Sequence, residues 1–342
     1  MKEPNRCGEV WVFAEQEGGV LHDVSLELCG RARTLADQLS VPMGVVLPGH
    51  GVEPLAATLI AQGADRVYVV DHPRLAQFTT LPYARAVCAL IEKHQPQIVI
   101  CGATALGRDL APRVASEMRS GMTADCTDLQ IENVTEKNGK VHENLLLQIR
   151  PAFGGNIIAT IVNYDQWPQM ATVREGVMPL HPGDPSRTGQ VIRETIELDE
   201  SLMAVRVLER HVEARKVNLK GSRIVVAGGG GIGSKENFEM LHELAGVLGG
   251  VVGASRAAVD SGLIGKEHQI GQTGTTVRPA LYVAVGISGA IQHRAGMEES
   301  AKIIAINTDP NAPIFSIAHY GIVGGYADVV PKMIRAIRAR NT

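Results

Sequence analysis

The stretch SRIVVAGGGGIGS, residues 222–234, places an apolar strand directly before a run of glycines. Residues 228–233 satisfy the pattern GxGxxG, and the periodic segment 235–248 after them predicts a helix. A strand, a glycine turn and a helix in this order are typical of a parallel sheet that binds a nucleotide at the turn. Four consecutive glycines meet the pattern easily by chance, so the neighbouring strands must indicate what is bound.

Three further strands are predicted, and each ends in small or polar residues. GGVVGASR ends in Ser255 and Arg256, LYVAV runs into residues 286–293, and KIIAIN ends in Asn307. Because the carboxyl ends of parallel strands share one edge of a sheet, these residues are expected to meet where doubly wound sheets bind ligands. The loop QIGQTGTTVRP, residues 269–279, adds glycines and hydroxyls that suit a phosphate or a polar ring edge. This region is predicted to bind a large nucleotide-like ligand.

A nicotinamide site would place an Asp or Glu about 20 residues after the glycines, to hold the ribose hydroxyls. This chain has Ser255 and Arg256 there. An arginine suits a phosphate, so a NADP-binding dehydrogenase or a ligand-sensing module stays open as an alternative. We find no paired carboxylates, no Ser-His-Asp order and no metal-ligand spacing, so no catalytic group and no metal site is predicted.

Composition excludes several classes of protein. A net charge of −3 and an aromatic content of 4% argue against nucleic acid as a partner. The five cysteines form no CxxC pair, which indicates a reducing compartment. No apolar run reaches the roughly 18 residues of a membrane span, so no membrane insertion is expected. The N-terminal residues carry no targeting pattern, and the expected location is the cytoplasm, or a matrix after loss of a presequence.

The first 210 residues show a different pattern of apolar and polar residues. Up to about residue 120, short apolar strands alternate with helical segments, which predicts a parallel sheet with a further helix capped by Asp109, and Pro112 in its first turn. From 120 to 210, LLLQIRPAFGGNIIATIVNY and QMATVREGV alternate apolar and polar residues, which predicts antiparallel strands. The predicted strands of the first part are 10–15, 43–49, 66–71 and 97–103, and its predicted helices are 22–39, 54–63 and 80–93. The fold class is therefore α/β with two domains, 1–210 and 211–342.

The segments SRAAVDSG, QIGQTGTTVRPALYVAVGISGAIQHRAGM and AINTDPNAPIF resemble the C-terminal flavin-binding domain of the electron transfer flavoprotein alpha subunit. The resemblance runs from about 221 to 337, and LYVAVGISGAIQH is highly specific to that family. The first 200 residues are similar to the family's first domain, a nucleotide-binding-hydrolase-like α/β layer with an antiparallel extension. The resemblance implies a C-terminal doubly wound parallel-sheet domain that binds FAD, and a beta subunit that faces the first domain and carries AMP or a second FAD.

The resemblance also implies site residues. Arg256 would lie against the isoalloxazine ring, Thr273 near its N5, and His293 near its C2 carbonyl. Arg256, His293 and the N-terminus of the helix after Ser288 would supply positive charge or oriented N–H groups. Gly286 and Gly289 would let the backbone approach the cofactor, and Ser288 would start a helix. The full implied set is Ser255, Arg256, Gln269, Ile270, Gly271, Gln272, Thr273, Gly274, Gly286, Ser288, Gly289, Ala290, Ile291, Gln292, His293, Asn307 and Asp309.

This sequence departs from the family pattern at three places. Gly230 stands where the family usually has an arginine, the pair Gly325 and Tyr326 where it has an Asp-Leu pair, and His319 where it has an aspartate. These departures bear on the pyrophosphate and adenosine contacts more than on the flavin contacts. They predict that FAD is held less tightly than is typical.

The segments GMTADCTDL, LLLQIRPAFGGNIIATI and QMATVREGVM resemble the bifurcating branch of anaerobes more than the mitochondrial branch. In that branch a second FAD in the beta subunit splits an NADH electron pair between ferredoxin or flavodoxin and the alpha FAD, which serves an acyl-CoA dehydrogenase. A non-bifurcating relative, such as a nitrogen-fixation or carnitine-pathway homologue, is the nearby alternative.

Overall fold

The computed structural model describes residues 5–151, 158–209 and 217–341. The chain folds as two compact units, residues 1–210 and 211–342. Residues 152–157, within a predicted antiparallel segment, and residues 210–216, which include the predicted domain boundary, lie outside the described part.

Seven described strands of the first unit form one parallel sheet, in the order β12-β5-β4-β1-β6-β11-β7. A second sheet is antiparallel, in the order β10-β9-β8, and β2 and β3 make a small hairpin. The strands are β1 (Val10–Phe13), β2 (Gln16–Glu17), β3 (Val20–Leu21), β4 (Met43–Gly49), β5 (Arg66–Asp71), β6 (Ile98–Gly102), β7 (Met122–Cys126), β8 (Asp128–Thr135), β9 (Val141–Pro151), β10 (Ile158–Ile161), β11 (Gln169–Val173) and β12 (Gln190–Arg193).

Helices cover both faces of the seven-stranded sheet, as buried parallel strands require. Val10 and Val12 of β1 pack in one core, and Trp11 and Phe13 pack in the other, because successive side chains of a strand point to opposite faces. The helices of this unit are α1 (Asp23–Leu39), α2 (Ala56–Ala61), α3 (Thr80–His94) and α4 (Ala105–Met118), with short 3-10 helices at Glu53–Leu55, Pro73–Leu75 and Glu200–Leu202.

The prediction of an antiparallel strand at QMATV is wrong. This segment is β11, which is parallel to β6 and β7 and buried at all five residues. Its polar residues make internal hydrogen bonds: Gln169 Oε1 accepts from the Leu146 N–H at 2.9 Å, and Thr172 Oγ1 accepts from the Asp125 N–H at 3.0 Å. The alternation therefore reflects internal hydrogen bonds and not a solvent-facing side of a strand.

The predicted cap at Asp109 is also wrong. Helix α4 begins four residues earlier, and its cap is Thr104, whose Oγ1 accepts from the Gly107 N–H at 2.9 Å. Asp109 lies in the helix and accepts a hydrogen bond from the Thr80 hydroxyl. Pro112 is accommodated inside the helix and not in its first turn.

The described strands of the second unit form one parallel sheet in the order β14-β13-β15-β16-β17. This is a doubly wound order, because the chain moves to one side of β13 and then to the other. The strands are β13 (Ile224–Gly228), β14 (Val251–Ala254), β15 (Leu281–Val285), β16 (Ile303–Asn307) and β17 (Tyr320–Val323), and the helices are α5 (Lys235–Leu248), α6 (Arg256–Asp260), α7 (Ile291–Arg294) and α8 (Tyr326–Asn341), with 3-10 helices at Gly230–Ile232, Lys266–His268 and Pro313–Ser316.

The second sheet is also buried on both faces. Val226 and Val283 pack with residues of α5 and α8 on one side, whereas Val225 and Tyr282 pack with Ile270 and other loop residues on the other. Helix α5 spans the predicted residues and is capped by Ser234, whose Oγ accepts from the Asn237 N–H. The register of β13 with β15 brings Gly228 beside Val285, so the loops that follow these two strands are neighbours.

Candidate functional site

The carboxyl edge of the second sheet joins two glycine-containing loops directly. The Gly229 N–H donates to the Val285 carbonyl at 2.9 Å, and the Gly231 N–H donates to the Gly286 carbonyl at 3.2 Å. Strands β13 and β15 are the pair between which the chain changes direction in the sheet. Ligands of doubly wound sheets bind outside such a pair, so this edge is the candidate site.

Four of the five N–H groups of residues 229–233, the glycine loop, donate to backbone carbonyls of the loop itself or of residues 285–286. Besides Gly229 and Gly231, the Ile232 N–H donates to the Gly229 carbonyl at 3.1 Å and the Gly233 N–H donates to the Gly230 carbonyl at 3.2 Å. A phosphate cradle at such a loop needs N–H groups that face the ligand. A Cβ on Gly229 would lie 2.0 Å from the Gly286 carbonyl oxygen, so close packing of the two loops accounts for this glycine. The geometry argues against a nicotinamide fingerprint here.

Ser255 and Arg256 follow β14 and begin α6. The Ser255 N–H donates to the Gly228 carbonyl at 3.0 Å, and its Oγ caps the helix by accepting from the Ala258 N–H at 3.4 Å. The Arg256 side chain is 67% exposed, and its Nε donates to Asp260 at 3.1 Å. The structure therefore places one exposed guanidinium beside the glycine loop.

The loop 269–275 is held by backbone hydrogen bonds. Ile270 donates to the Ala254 carbonyl at 2.9 Å, Gln272 to the Gln292 carbonyl at 2.7 Å, and Thr275 to the Gln269 carbonyl at 2.8 Å. A Cβ on Gly274 would lie 2.4 Å from the Gln269 carbonyl oxygen, so the loop closes tightly on itself. Gln269 is buried, whereas Gln272, Thr273 and Gly274 are exposed at the tip.

Gly286 and Gly289 have left-handed backbones, with φ of 61° and 87°. A Cβ on Gly289 would lie 2.2 Å from the Ile314 nitrogen, and one on Gly286 would lie 3.2 Å from the Gly231 backbone. These glycines are thus required for contacts with the chain's own loops, whatever the ligand. The prediction that Ser288 starts a helix is wrong, because α7 begins at Ile291 after Ala290; the Ser288 carbonyl instead accepts from the Ile314 N–H at 3.0 Å and its side chain is exposed.

Of the two contributions expected of His293, positive charge or an oriented N–H, the structure argues against the positive charge. Its Nδ1 lies 3.1 Å from the Ile270 carbonyl and its Nε2 lies 3.0 Å from the Tyr282 hydroxyl. Since a carbonyl can only accept, Nδ1 carries the proton and Nε2 accepts from Tyr282. Burial lowers the pKa of His293 to about 4, and the Ile270 carbonyl only partly opposes this. The imidazole is therefore neutral at neutral pH, which leaves Arg256 as the positive charge of the predicted pair.

Asn307 and Asp309 complete the edge. Asn307 Nδ2 donates to the Ile287 carbonyl at 2.9 Å, and its Oδ1 accepts from the Asp309 N–H at 3.0 Å. Asp309 Oδ1 in turn accepts from the Asn311 N–H at 2.9 Å. Asn307 thus ties the end of β16 to the loop after β15, and both residues support that loop from its far side.

The three departures from the family pattern occupy different places. A Cβ on Gly230 would meet only the Ala257 Cβ, at 3.7 Å, so there is room for a side chain at that position. The Tyr326 hydroxyl donates to the Ile232 carbonyl at 3.1 Å and so contacts the glycine loop. His319 lies at the opposite edge, before β17, where its Nδ1 accepts from the Ile303 N–H at 3.1 Å. His319 supports strand pairing there, and its effect on the cofactor stays a prediction.

Two residues of this edge were missed by sequence reasoning. The sequence places Tyr282 in an apolar strand and marks Tyr326 only as a difference from the family pattern. In the structure the hydroxyl of each makes a hydrogen bond at the site. A buried tyrosine hydroxyl usually needs a partner, so Tyr282 in a buried strand near His293 was the available signal.

Asp260 and Asp309 are exposed carboxylates at this edge. The other exposed polar side chains include a cation and uncharged hydrogen-bonding groups: Arg256, Gln272, Thr273, Ser288 and Gln292. Such a set fits a flavin, whose polar ring edge and pyrophosphate accept hydrogen bonds and bear negative charge. No group of three His, Cys, Asp or Glu within the described ranges is arranged to hold a metal ion. Of the helices described, none is long and apolar enough to cross a membrane.

Comparison with known proteins gives the same assignment for both units. Residues 10–199 match the family model "Electron transfer flavoprotein domain", and residues 218–298 match "Electron transfer flavoprotein FAD-binding domain". The electron transfer flavoprotein subunit alpha of Thermoanaerobacterium thermosaccharolyticum is 52% identical over 98% of this chain and 99% of its own. Protein FixB of Clostridium saccharobutylicum is 48% identical over 95% of each chain.

A third relative carries the name of an enzyme that it serves as a subunit. It is the acryloyl-CoA reductase electron transfer subunit beta of Anaerotignum propionicum, which is 41% identical over 98% of this chain and 96% of its own. The two family matches together span most of the chain, and the relatives align over nearly its whole length. The chain therefore belongs to the electron transfer flavoprotein family as an alpha subunit, and its second unit is the FAD-binding domain.

Proposed function

We propose that this chain forms a heterodimer with a beta subunit and passes single electrons to or from an acyl-CoA dehydrogenase-type partner. The observation that carries the proposal is the carboxyl edge of the second sheet, where exposed hydrogen-bonding groups and one arginine meet on a segment that matches an FAD-binding domain. The relative named as an electron transfer subunit of acryloyl-CoA reductase supports an acyl-CoA partner. No substrate-converting site of the chain's own is needed for this role.

The residues of the edge bind and tune the cofactor. Bound FAD accepts and releases electrons one at a time. Arg256 places a cation where negative charge is to be stabilised, and a charge-assisted hydrogen bond contributes about 1.5–3 kcal/mol. Thr273, Gln272 and Gln292 offer neutral donors, while neutral His293 fixes the spacing between the Ile270 loop and β15. The wider set of implied contacts, from Ser255 to Asp309, is part of this proposal.

We further propose that the heterodimer belongs to the bifurcating branch, with a second FAD in the beta subunit and ferredoxin or flavodoxin as one acceptor. The sequence motifs of residues 121–178 support this assignment, and relatives from anaerobic bacteria are compatible with it. Domain 1–210 is proposed to face the beta subunit. A cytoplasmic location is also proposed, since all five cysteines are free thiols, four of them buried.

The proposal is tested by co-expressing this chain with the beta subunit encoded beside it and measuring flavin content and electron transfer. We expect a yellow heterodimer with two FAD, and NADH-dependent reduction of ferredoxin only when an acyl-CoA dehydrogenase and its enoyl-CoA substrate are present. One FAD per heterodimer, with no reduction of ferredoxin, would leave a non-bifurcating electron carrier. A colourless protein that takes up NADPH and not FAD would overturn the proposal in favour of a dehydrogenase or sensor.

A further inference from the structure

The hydroxyl of Thr273 has a fixed neighbour on its inner side. Gln269 Nε2 lies 3.0 Å from Thr273 Oγ1 and donates a hydrogen bond to it. Gln269 is only 6% exposed, whereas Thr273 is exposed at the tip of the loop. The amide is therefore part of the protein interior, and the hydroxyl it touches is part of the ligand-facing surface.

The backbone holds both residues independently of this side-chain bond. Gln269 closes the 3-10 helix Lys266–His268 and pairs with Ala254 of β14. The Gly274 N–H donates to the Gly271 carbonyl at 3.0 Å, and the Thr275 N–H donates to the Gln269 carbonyl at 2.8 Å, so Thr273 lies within a closed turn. The distance between the amide and the hydroxyl is thus set by the loop.

A hydroxyl has one proton to donate and two lone pairs to accept with. Because an amide N–H can only donate, the bond from Gln269 occupies a lone pair of Thr273 and leaves its proton unused. The Thr273 hydroxyl donates to no acceptor among the residues that the structure describes. The remaining direction for the proton is outward, toward the site.

We propose that Gln269 is a positioning residue, which turns the Thr273 hydroxyl outward as a hydrogen-bond donor to an acceptor atom of the bound flavin. The inference rests on the proposed function, since it takes the flavin as the ligand of this edge. It changes the role of Gln269 from a direct cofactor contact, as the family resemblance implies, to a buried group that acts through its neighbour.

The substitution Gln269→Glu tests the direction of the hydrogen bond while keeping the shape of the side chain. An ionised carboxylate can only accept, so Thr273 would donate inward and present a lone pair to an acceptor atom of the flavin. Gln269→Leu leaves the hydroxyl in place but free to rotate. Thr273→Val removes the hydroxyl, and Thr273→Ser keeps it.

The readouts are the dissociation constant for FAD, measured by fluorescence titration of the flavin-depleted heterodimer, and the midpoint potential of the bound flavin. We expect Thr273→Val to weaken FAD binding about fivefold, Gln269→Glu about tenfold and Gln269→Leu about twofold, with Thr273→Ser close to the wild type. In a Thr273→Val background, Gln269→Leu is expected to add nothing. The loss of FAD affinity that Gln269→Glu still causes in the Thr273→Val background is due to the charge of the carboxylate. The loss that is seen only when the Thr273 hydroxyl is present is due to the reversed hydrogen bond.

If the Gln269 and Thr273 substitutions weaken FAD binding independently, their effects multiply in the double variants, and the inference is overturned. The proposed function would stand in that case, provided that the wild type still binds FAD and passes electrons. A wild-type heterodimer that binds no FAD would overturn the proposed function, and this inference with it. If Gln269→Glu fails to fold, Gln269→Leu provides the test. A loss of FAD affinity in Gln269→Leu that is the same with and without the Thr273 hydroxyl would contradict a positioning role.

Discussion

In the first unit, Glu15 follows the central strand β1, at the crevice between β1 and β6 where the chain changes direction in the sheet. Its side chain is 1% exposed, and its Oε2 accepts from the Thr104 hydroxyl at 2.8 Å, beside the start of α4. In the second unit, the equivalent crevice between β13 and β15 is bordered by exposed Arg256 and Thr273. One edge is filled by the chain's own carboxylate, while the other leaves its polar side chains exposed.

The difference teaches that a parallel sheet with a change of chain direction does not by itself make a ligand site. Both sheets have the strand arrangement that favours ligand binding at the carboxyl edge. In the first unit, buried Arg174 also folds back on Asp125, with Nη2 and Oδ2 2.7 Å apart. Polar groups that are buried against one another have little left to offer a ligand, so binding follows from which edge keeps its polar side chains exposed.

The largest expected effect concerns the packing that shapes the open edge. Gly289→Ala would combine a φ of 87° with a Cβ 2.2 Å from the Ile314 nitrogen, and we expect it to destabilise the second unit by about 3 kcal/mol. Circular dichroism during urea unfolding measures this. Trp11 and Trp167 both lie in the first unit, so the tryptophan fluorescence transition should not move.

Gly246→Ala is the matched control. Its Cβ would meet nothing within 4 Å in the exposed interior of α5, so we expect it to stabilise the same unit by about 0.5–1 kcal/mol. Equal effects of the two substitutions would mean that residues 286–290 are not held against Ile314.

In the first unit, the corresponding change is the removal of a charge from the closed edge. Asp125→Asn keeps a residue that tolerates the φ of 61° but leaves the buried Arg174 guanidinium without its carboxylate. Because Asp125 is partly exposed, we expect a loss of about 2 kcal/mol, below the full penalty for an unpaired buried charge. The tryptophan fluorescence transition should shift to lower urea.

Asp128→Asn is its control. The Asp128 side chain is 36% exposed and pairs with Arg31, and a more exposed ion pair contributes about 1 kcal/mol or less to stability. A loss as large as that of Asp125→Asn would show that burial of the arginine is not what distinguishes the closed edge.

The stability of the second unit should depend on pH through His293. The pKa of this group is lowered to about 4 in the folded chain, so between the ordinary value near 6.5 and about 4 the unfolded chain binds the extra proton. Stability of the second unit is therefore expected to fall as the pH falls through that window, by about 2 kcal/mol at pH 5 relative to pH 7.5. Urea unfolding by circular dichroism at several pH values measures the slope. His293→Gln should flatten it, and an unchanged slope in that variant would assign the effect to other groups.

The smallest expected effect adds a charge to the open edge. Gly230 has an ordinary φ and room beside Ala257, so Gly230→Arg is expected to fold normally and to bind FAD about tenfold more tightly. Fluorescence titration of the heterodimer provides the comparison. Gly229→Arg, one residue away, would meet the Gly286 carbonyl oxygen at 2.0 Å and should fail to gain affinity. No gain with Gly230→Arg would mean that the pyrophosphate does not lie over this loop.

Sequence periodicity located much of the fold. Strands β4 and β5 and helix α5 have the predicted bounds, because each is an apolar or periodic segment ended by a turn residue. Strand β11 was misread because Gln169 and Thr172 are polar yet buried. Strands β7, β12 and β17 were not predicted, and each lies at an edge of its sheet or holds polar residues that depend on tertiary partners.

The sequence predicted where the candidate site lies better than it predicted the contacts made there. Strand ends that share one edge follow from the parallel pattern, and the family resemblance supplied the residues. The sequence left open whether His293 supplies a charge or an N–H group, because its neutrality depends on burial beside Tyr282 and the Ile270 carbonyl, which only the folded loops bring together. The inward hydrogen bonds of the Gly229 and Gly231 N–H groups depend in the same way on the neighbouring strand and the loop after it.

Those inward N–H groups have a consequence for the order of assembly. The Gly229 and Gly231 N–H groups donate to the Val285 and Gly286 carbonyls, so the chain's own peptide groups set the shape of the glycine loop. The second unit can therefore finish folding before it meets its cofactor, and loading becomes a separate, later and reversible event. We therefore expect apoprotein made without flavin to keep the shape of this loop and to take up the cofactor when it is added later.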